Sequence, residues 1–116
     1  MKENFSELIK KVIKFRDERN WKQFHNSKDV AISMVLEAGE VLEHFQWKTE
    51  AEIKIYLETH KEHIGDEIAD VLKYLVILSY DLDIDVIQAV KRKMKKDAEK
   101  YPVSKSKDNH KKYNEL

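Results

Sequence analysis

An all-α fold, a bundle of about four to five helices, is what this 116-residue sequence predicts, and three observations carry it. Only two glycines and one proline interrupt the chain, so few positions stop a helix. Apolar residues recur at spacings of three and four, the period of a helix face. Polar residues suited to helix starts, Asn4, Ser27, Thr49 and Asp83 or Asp85, precede the periodic runs.

The first helix is expected from about Asn4, with Glu7 three residues on, to about Arg19, with Phe5, Leu8, Ile9, Val12, Ile13 and Phe15 as its apolar stripe. Residues 20–26 read as a loop holding Trp21, Phe24 and His25; Trp21 either packs on the core or lines a pocket. Ser27 is the expected cap of a second helix reaching about Phe45. Its interior Gly39 costs about 1 kcal/mol relative to alanine, which the close approach of another helix, from this chain or a second subunit, would explain. Trp47 follows at its end. The capping box Thr49-x-x-Glu52 starts a short third helix to about Thr59. His60-Lys-Glu-His63 reads as a hydrated connection rather than a metal pair. A fourth helix spans about Glu62 to Leu82. The fifth runs to about Lys100 and stops before Pro102. Its core side is Val86, Ile87, Ala89, Val90 and Met94; Lys91, Lys93, Asp97 and Lys100 stand on its polar side. The polar tail 101–116 is disordered by default, with Tyr101 and Tyr113 among its lysines offering the alternative of a flap ordered by ligand.

Composition narrows the chemistry. At 116 residues and 41% hydrophobic content the chain suits one compact domain, 1–116, with a modest core. The second and fourth helices are apolar on most sides, so the core is expected to be completed by oligomerisation. Cysteine is absent, which removes disulfides, thiolate metal sites and cysteine nucleophiles and suits a reducing cytoplasm. No run approaches the roughly 18 apolar residues of a membrane span, so a cytoplasmic protein without a membrane partner is expected. With two glycines there is no Gly-rich phosphate loop. Net charge is zero, but residues 37–85 hold 13 acids against 4 lysines, while 91–116 hold 10 basic residues against 4 acids.

The most informative stretches are Ser33-Met-Val-Leu-Glu37-Ala-Gly-Glu40-Val-Leu and Ile64-Gly-Asp-Glu67-Ile-Ala-Asp70-Val-Leu. Each sets two carboxylates three residues apart, hence on one helix face. Solvated stripe charges explain most such pairs, Glu40 with Glu43 among them. Here, however, Ile32 and Leu36, and Ile77 on the other segment, lie beyond the acidic stripe, so neither helix has a broad charged face. Ser33 and His44 flank the first pair; Tyr74 lies one turn beyond the second, within reach of a metal-held ligand. Four carboxylates meeting in a low-dielectric site raise one another's pKa unless a cation compensates them. All-oxygen ligation suits Mg²⁺, with Mn²⁺ as a substitute, better than zinc or copper.

These residues carry a resemblance. Glu37-x-x-Glu40, 26 intervening residues and Glu67-x-x-Asp70 resemble the metal motif of the all-α nucleoside triphosphate pyrophosphatases, the MazG superfamily. Residues 15–25 (FRDERNWKQFH), 43–47 (EHFQW), 70–75 (DVLKYL), Lys93-Met, Lys100-Tyr-Pro-Val103 and Lys111-Lys-Tyr113 resemble its dCTP pyrophosphatase branch over nearly the whole chain. The resemblance implies a homodimer or homotetramer that hydrolyses a nucleoside triphosphate, dCTP or a modified dNTP, to the monophosphate and pyrophosphate. It implies Glu37, Glu40, Glu67 and Asp70 as metal ligands and catalytic groups. Trp21 and Trp47 would lie against base and sugar, and Tyr74 and Lys93 near the phosphates. Lys100, Tyr101, Lys112 and Tyr113 would close over the triphosphate. Asp97 stands where the branch has a nucleotide-contacting asparagine, and an ionised aspartate cannot donate a hydrogen bond; Asp108 stands where a glycine is usual. A di-iron helical protein is disfavoured because no Glu here is followed three residues later by His. The remaining rival is a non-enzymatic helical interaction or nucleic-acid module using the basic tail, recognisable by salt-sensitive polynucleotide binding; the enzyme reading expects no stable nucleic-acid partner.

Overall fold

Asn4 starts the first helix. In this computed structural model, which describes residues 2–116, its side chain accepts the Glu7 backbone N–H at 2.9 Å and α1 runs Phe5–Glu18. Asn20 then takes a left-handed conformation, φ 54°, and residues Trp21–Phe24 wind into a 3-10 turn where a plain loop was expected. The second helix, α2, spans Ser27–Glu43, and its cap is Asn26 rather than Ser27: the Asn26 side chain accepts the Asp29 N–H at 2.9 Å. It ends two residues before Phe45. Trp47 follows at φ 67°, a conformation that costs a side-chain-bearing residue roughly 1–2 kcal/mol.

The largest departure from the sequence reading is α3, a single helix Glu50–Asp81 where two helices were expected. The capping box is as predicted, Thr49 accepting the Glu52 N–H and Glu52 accepting the Thr49 N–H. Residues 60–63, read as a connection because they are polar, contain neither glycine nor proline, and a polar run without a stop signal continues a helix. Side-chain pairs one turn apart reinforce it: Tyr56 stacks on His60 with ring centroids 3.8 Å apart, and His63 reaches Glu67 at 3.4 Å. The last turn closes through Asp83 at φ 55°.

All the secondary-structure elements among the described residues are helices, without strands, and the chain divides into two compact units, one up to Asp83 and one Ile84–Leu116. In the first, α2 packs along α3 and α1 packs on α3. The core is Ile13, Val30 and Ile77, flanked by Ile9, Val12, Tyr74 and Leu78. Apolar residues also remain uncovered: Ile32, Val35, Leu36 and Leu42 on α2, and Ile55, Ile68 and Leu75 on α3. A Cβ at Gly39 would meet nothing within 4 Å, so no close approach among the described residues accounts for that glycine.

In the second unit Asp85 caps α4 (Val86–Lys100), accepting the Gln88 N–H at 3.1 Å. The tail, whose default was disorder, forms a one-turn α5 (Val103–Ser106) behind Pro102 and a 3-10 turn at Tyr113–Glu115. Asp108 adopts φ 67°, the left-handed conformation that a glycine takes without penalty. No helix among the described residues is long and apolar enough to cross a membrane.

Candidate active site

Helix α1 supplies a charge to the interior that decides what surrounds it. Arg16 is 2% exposed, and its Nη1 donates to both carboxylate oxygens of Asp81 at 2.7 and 2.8 Å, while Nε donates to Asp17 at 3.1 Å. Burial alone would lower the guanidinium pKa. The hydrogen bonds and charges of Asp81 and Asp17 outweigh it, and the pKa rises. This cation is therefore compensated within the chain.

Beside it opens a cavity of about 390 Å³, lined from α1 by Lys11, Val12, Phe15 and Arg16, from the following segment by Trp21 and His25, from α2 by Glu37, and from α3 by Asp70, Lys73, Tyr74 and Ile77. Trp21 lines this space and packs edge-on against the part-exposed Phe15, centroids 5.9 Å apart, so of the two alternatives read for it the pocket, not the core, is where it lies. Lys73 Nζ lies 3.7 Å from Asp70 Oδ1.

The acidic groups are not compensated in this way. Glu37 Oε2 is buried without a hydrogen-bond partner, as is His25 Nδ1 across the same cavity lining. Desolvation first, then the side-chain hydrogen bond with Glu40 and the charges of Glu40, Asp70 and Glu67, hold the Glu37 carboxyl above the ordinary carboxylate range. Two helices that place carboxylates three residues apart thus bring Glu40, Asp70 and Glu67 within electrostatic reach of Glu37. Of the four, only Glu37 and Asp70 line the cavity; Glu40 is exposed and off its wall, and Glu67 turns elsewhere. Its Oε2 is hydrogen-bonded to His44 Nε2, its Oε1 lies 3.4 Å from His63 Nε2, and it is absent from the cavity wall.

The other candidates divide by location. Trp47 is 92% exposed and stands outside the cavity. Lys93 and Asp97, on α4, form an ion pair, so the aspartate that cannot donate is engaged by the lysine one turn away. Within the same unit the Lys100 ammonium sits 4.8 Å from the Tyr113 ring, and Tyr101 meets Tyr113 edge-on at 6.2 Å; Lys112 is exposed beside them. Lys11, Arg16 and Lys73 were not singled out from the sequence; His25 and His44 were named without a role, and His63 was read as part of a hydrated connection. Charged residues on a helix with a clear apolar stripe read as solvent-facing, and only packing shows which of them turn inward.

Known proteins can now be set beside this geometry. The chain is 38% identical to dCTP pyrophosphatase 1 of Rattus norvegicus over 104 residues, and 36% identical to that of Homo sapiens, each alignment covering 88% of this chain. The chain spans about 61% of the length of these curated relatives. A crystal structure of a pyrophosphatase from Archaeoglobus fulgidus superimposes with a TM-score of 0.80 at 42% identity, covering 88% of this chain and 95% of the other. A model of the MazG-like family matches residues 32–116, a span that begins on α2 just before the first acidic pair and includes the second. With that match and these relatives, the chain belongs to the MazG-like family.

Proposed function

We propose that this protein hydrolyses a nucleoside triphosphate, dCTP or a modified deoxynucleotide, to the monophosphate and pyrophosphate, using Mg²⁺, or Mn²⁺ in its place, held by Glu37, Glu40, Glu67 and Asp70. The observation that carries the reading is the buried, unpartnered Glu37 oxygen, on a carboxyl with a raised pKa, in a cavity that also holds Asp70, Trp21 and Tyr74. An all-oxygen set of crowded carboxylates fits a hard dication and little else. When bound, such an ion neutralises phosphate oxygens and lowers the pKa of a water poised to attack the α-phosphorus.

The chain's own groups do the rest. A carboxylate oxygen of the acidic set accepts the proton of the attacking water. Lys11 and Lys73 present ammonium groups to phosphate oxygens, Trp21 backed by Phe15 offers a ring face to the base, and the Tyr74 hydroxyl donates to the bound triphosphate. A volume of about 390 Å³ falls in the ordinary range for small-ligand sites, about 300–1,000 Å³. In the second unit, Lys93, Lys100, Tyr101, Lys112 and Tyr113 are proposed as further triphosphate contacts and Trp47 as a base or sugar contact. The uncovered apolar residues of α2 and α3 support a homodimer or homotetramer. The names of the relatives favour dCTP. A panel of dNTPs incubated with the protein and Mg²⁺ tests the proposal: monophosphate and pyrophosphate in equal amounts are expected, abolished by chelation, and release of inorganic phosphate instead overturns it.

A further inference from the structure

Outside the cavity wall, among the described residues, one group of three metal-ligating side chains has all its ligand atoms within 4.8 Å of one another: His44, His63 and Glu67. His44, the C-cap of α2, is 7% exposed. Its Nε2 faces Glu67, and its other ring nitrogen, Nδ1, is bonded to the Tyr56 hydroxyl at 2.5 Å. Tyr56 is itself held, stacked on His60 and covered by the Lys48 ammonium 4.3 Å from its ring. His63 stands edge-on to His44, centroids 5.1 Å apart, one turn before Glu67 on α3. Two imidazoles and a carboxylate, with an outer-sphere hydroxyl fixing the ring of the buried histidine, are the donor set of a three-ligand zinc site with an open fourth position. Imidazole nitrogens select zinc-like ions over Mg²⁺.

We propose that His44 Nε2, His63 Nε2 and Glu67 form a second cation site, for Zn²⁺ rather than Mg²⁺, that shares Glu67 with the acidic set and slows the enzyme when filled. The ion takes the place of the hydrogen between His44 Nε2 and Glu67; Nδ1 then carries the ring hydrogen and donates it to Tyr56. Both Glu67 oxygens already face the histidines, so occupation holds this carboxylate away from the hard ion and leaves Glu37, Glu40 and Asp70 one ligand short. The cation site itself needs no substrate, whereas the inhibition rests on the hydrolysis proposed above.

Titration of the metal-free protein with Zn²⁺, and with Co²⁺ as a spectroscopic stand-in, tests the site directly. One ion per chain is expected, retained in excess Mg²⁺, with the Co²⁺ spectrum of a low-coordinate nitrogen and oxygen site. His63, with 63% of its side chain exposed, can be removed without disturbing the core. His63→Ala is expected to weaken Zn²⁺ binding by at least about 100-fold, and Tyr56→Phe by about 10–100-fold, the usual loss for an outer-sphere partner. In the assay, Zn²⁺ should inhibit the Mg²⁺-dependent reaction of the wild type, and His63→Ala should turn over normally but resist Zn²⁺. Equal Zn²⁺ affinity in wild type and His63→Ala, or Zn²⁺ displaced one for one by Mg²⁺, overturns the site. Intact Zn²⁺ binding without hydrolysis of any triphosphate upholds the site and overturns the hydrolysis reading alone.

Discussion

Two clusters of charge lie close together in the first unit, and they are built on opposite principles. Arg16 is buried against Asp81 and Asp17, with its Nε and Nη1 bonded to their carboxylate oxygens. Glu37 feels the like charges of Glu40, Asp70 and Glu67 and keeps a buried oxygen without a hydrogen-bond partner, although Lys73 stands beside Asp70 and two histidines beside Glu67. A buried charge matched within its own chain holds a fold together, since removing one partner strands the other. A buried charge left unmatched works against the fold until something from outside compensates it. The first cluster is therefore structural, and the second is the one proposed above to take a cation.

The comparison breaks most visibly in activity. Glu40→Ala or Asp70→Ala should lower Mg²⁺-dependent pyrophosphate release by about two to three powers of ten, because a correctly held ion contributes several kcal/mol to the transition state. Circular dichroism should show unchanged helicity. If either variant keeps full activity, that residue has no part in the reaction. Next in size, Arg16→Ala should destabilise the protein by about 3 kcal/mol in urea unfolding, since it strands the Asp81 carboxylate. The double replacement Arg16→Met with Asp81→Leu should recover most of that loss.

A smaller effect comes from Glu37→Gln, whose sign differs between the two states of the site. The folded protein holds this carboxyl above its ordinary pKa, so it binds the proton more tightly than the unfolded chain does. That stability is fully present below the ordinary glutamate value of about 4.3 and is lost as pH rises through the raised value. The metal-free variant should therefore melt higher than the wild type at neutral pH and no higher in acid. In Mg²⁺ the order should reverse, because the wild type gains from the ion and the variant has lost a ligand. The same titration predicts that Mg²⁺ affinity of the wild type weakens as pH falls through the Glu37 pKa, measurable by calorimetry at several pH values. The smallest expected change lies outside both clusters. Gly39→Ala should add up to about 1 kcal/mol of helix stability, as a Cβ there meets nothing in the chain; a loss of oligomer on sizing would instead locate a partner helix at that position.

Much of the fold could be read before any coordinates. The Asn4 cap, the Thr49 capping box, the Asp85 start and the carboxylate pairs on α2 and α3 all follow from spacings of three or four residues, which local backbone geometry determines. The reading failed where polarity was taken for a break. Residues 60–63 continue α3, because helix termination needs a backbone signal and this run has none. Asn26, not Ser27, caps α2, and either residue satisfies the local rule; only the backbone path chooses between them.

Local periodicity by itself thus determined an all-helical chain, the residues of its apolar stripes and the helix faces that carry Glu37, Glu40, Glu67 and Asp70. Only tertiary packing decided that Arg16 turns inward to Asp81, that Trp21 and Lys73 share a cavity with Glu37 and Asp70, and that Glu67 faces His44 and His63. The reason lies in distance along the chain. A helix period relates residues three or four apart, whereas Arg16 and Asp81 are 65 residues apart and meet only because α1 packs on α3, an outcome of how apolar stripes bury one another and not of any spacing within a helix.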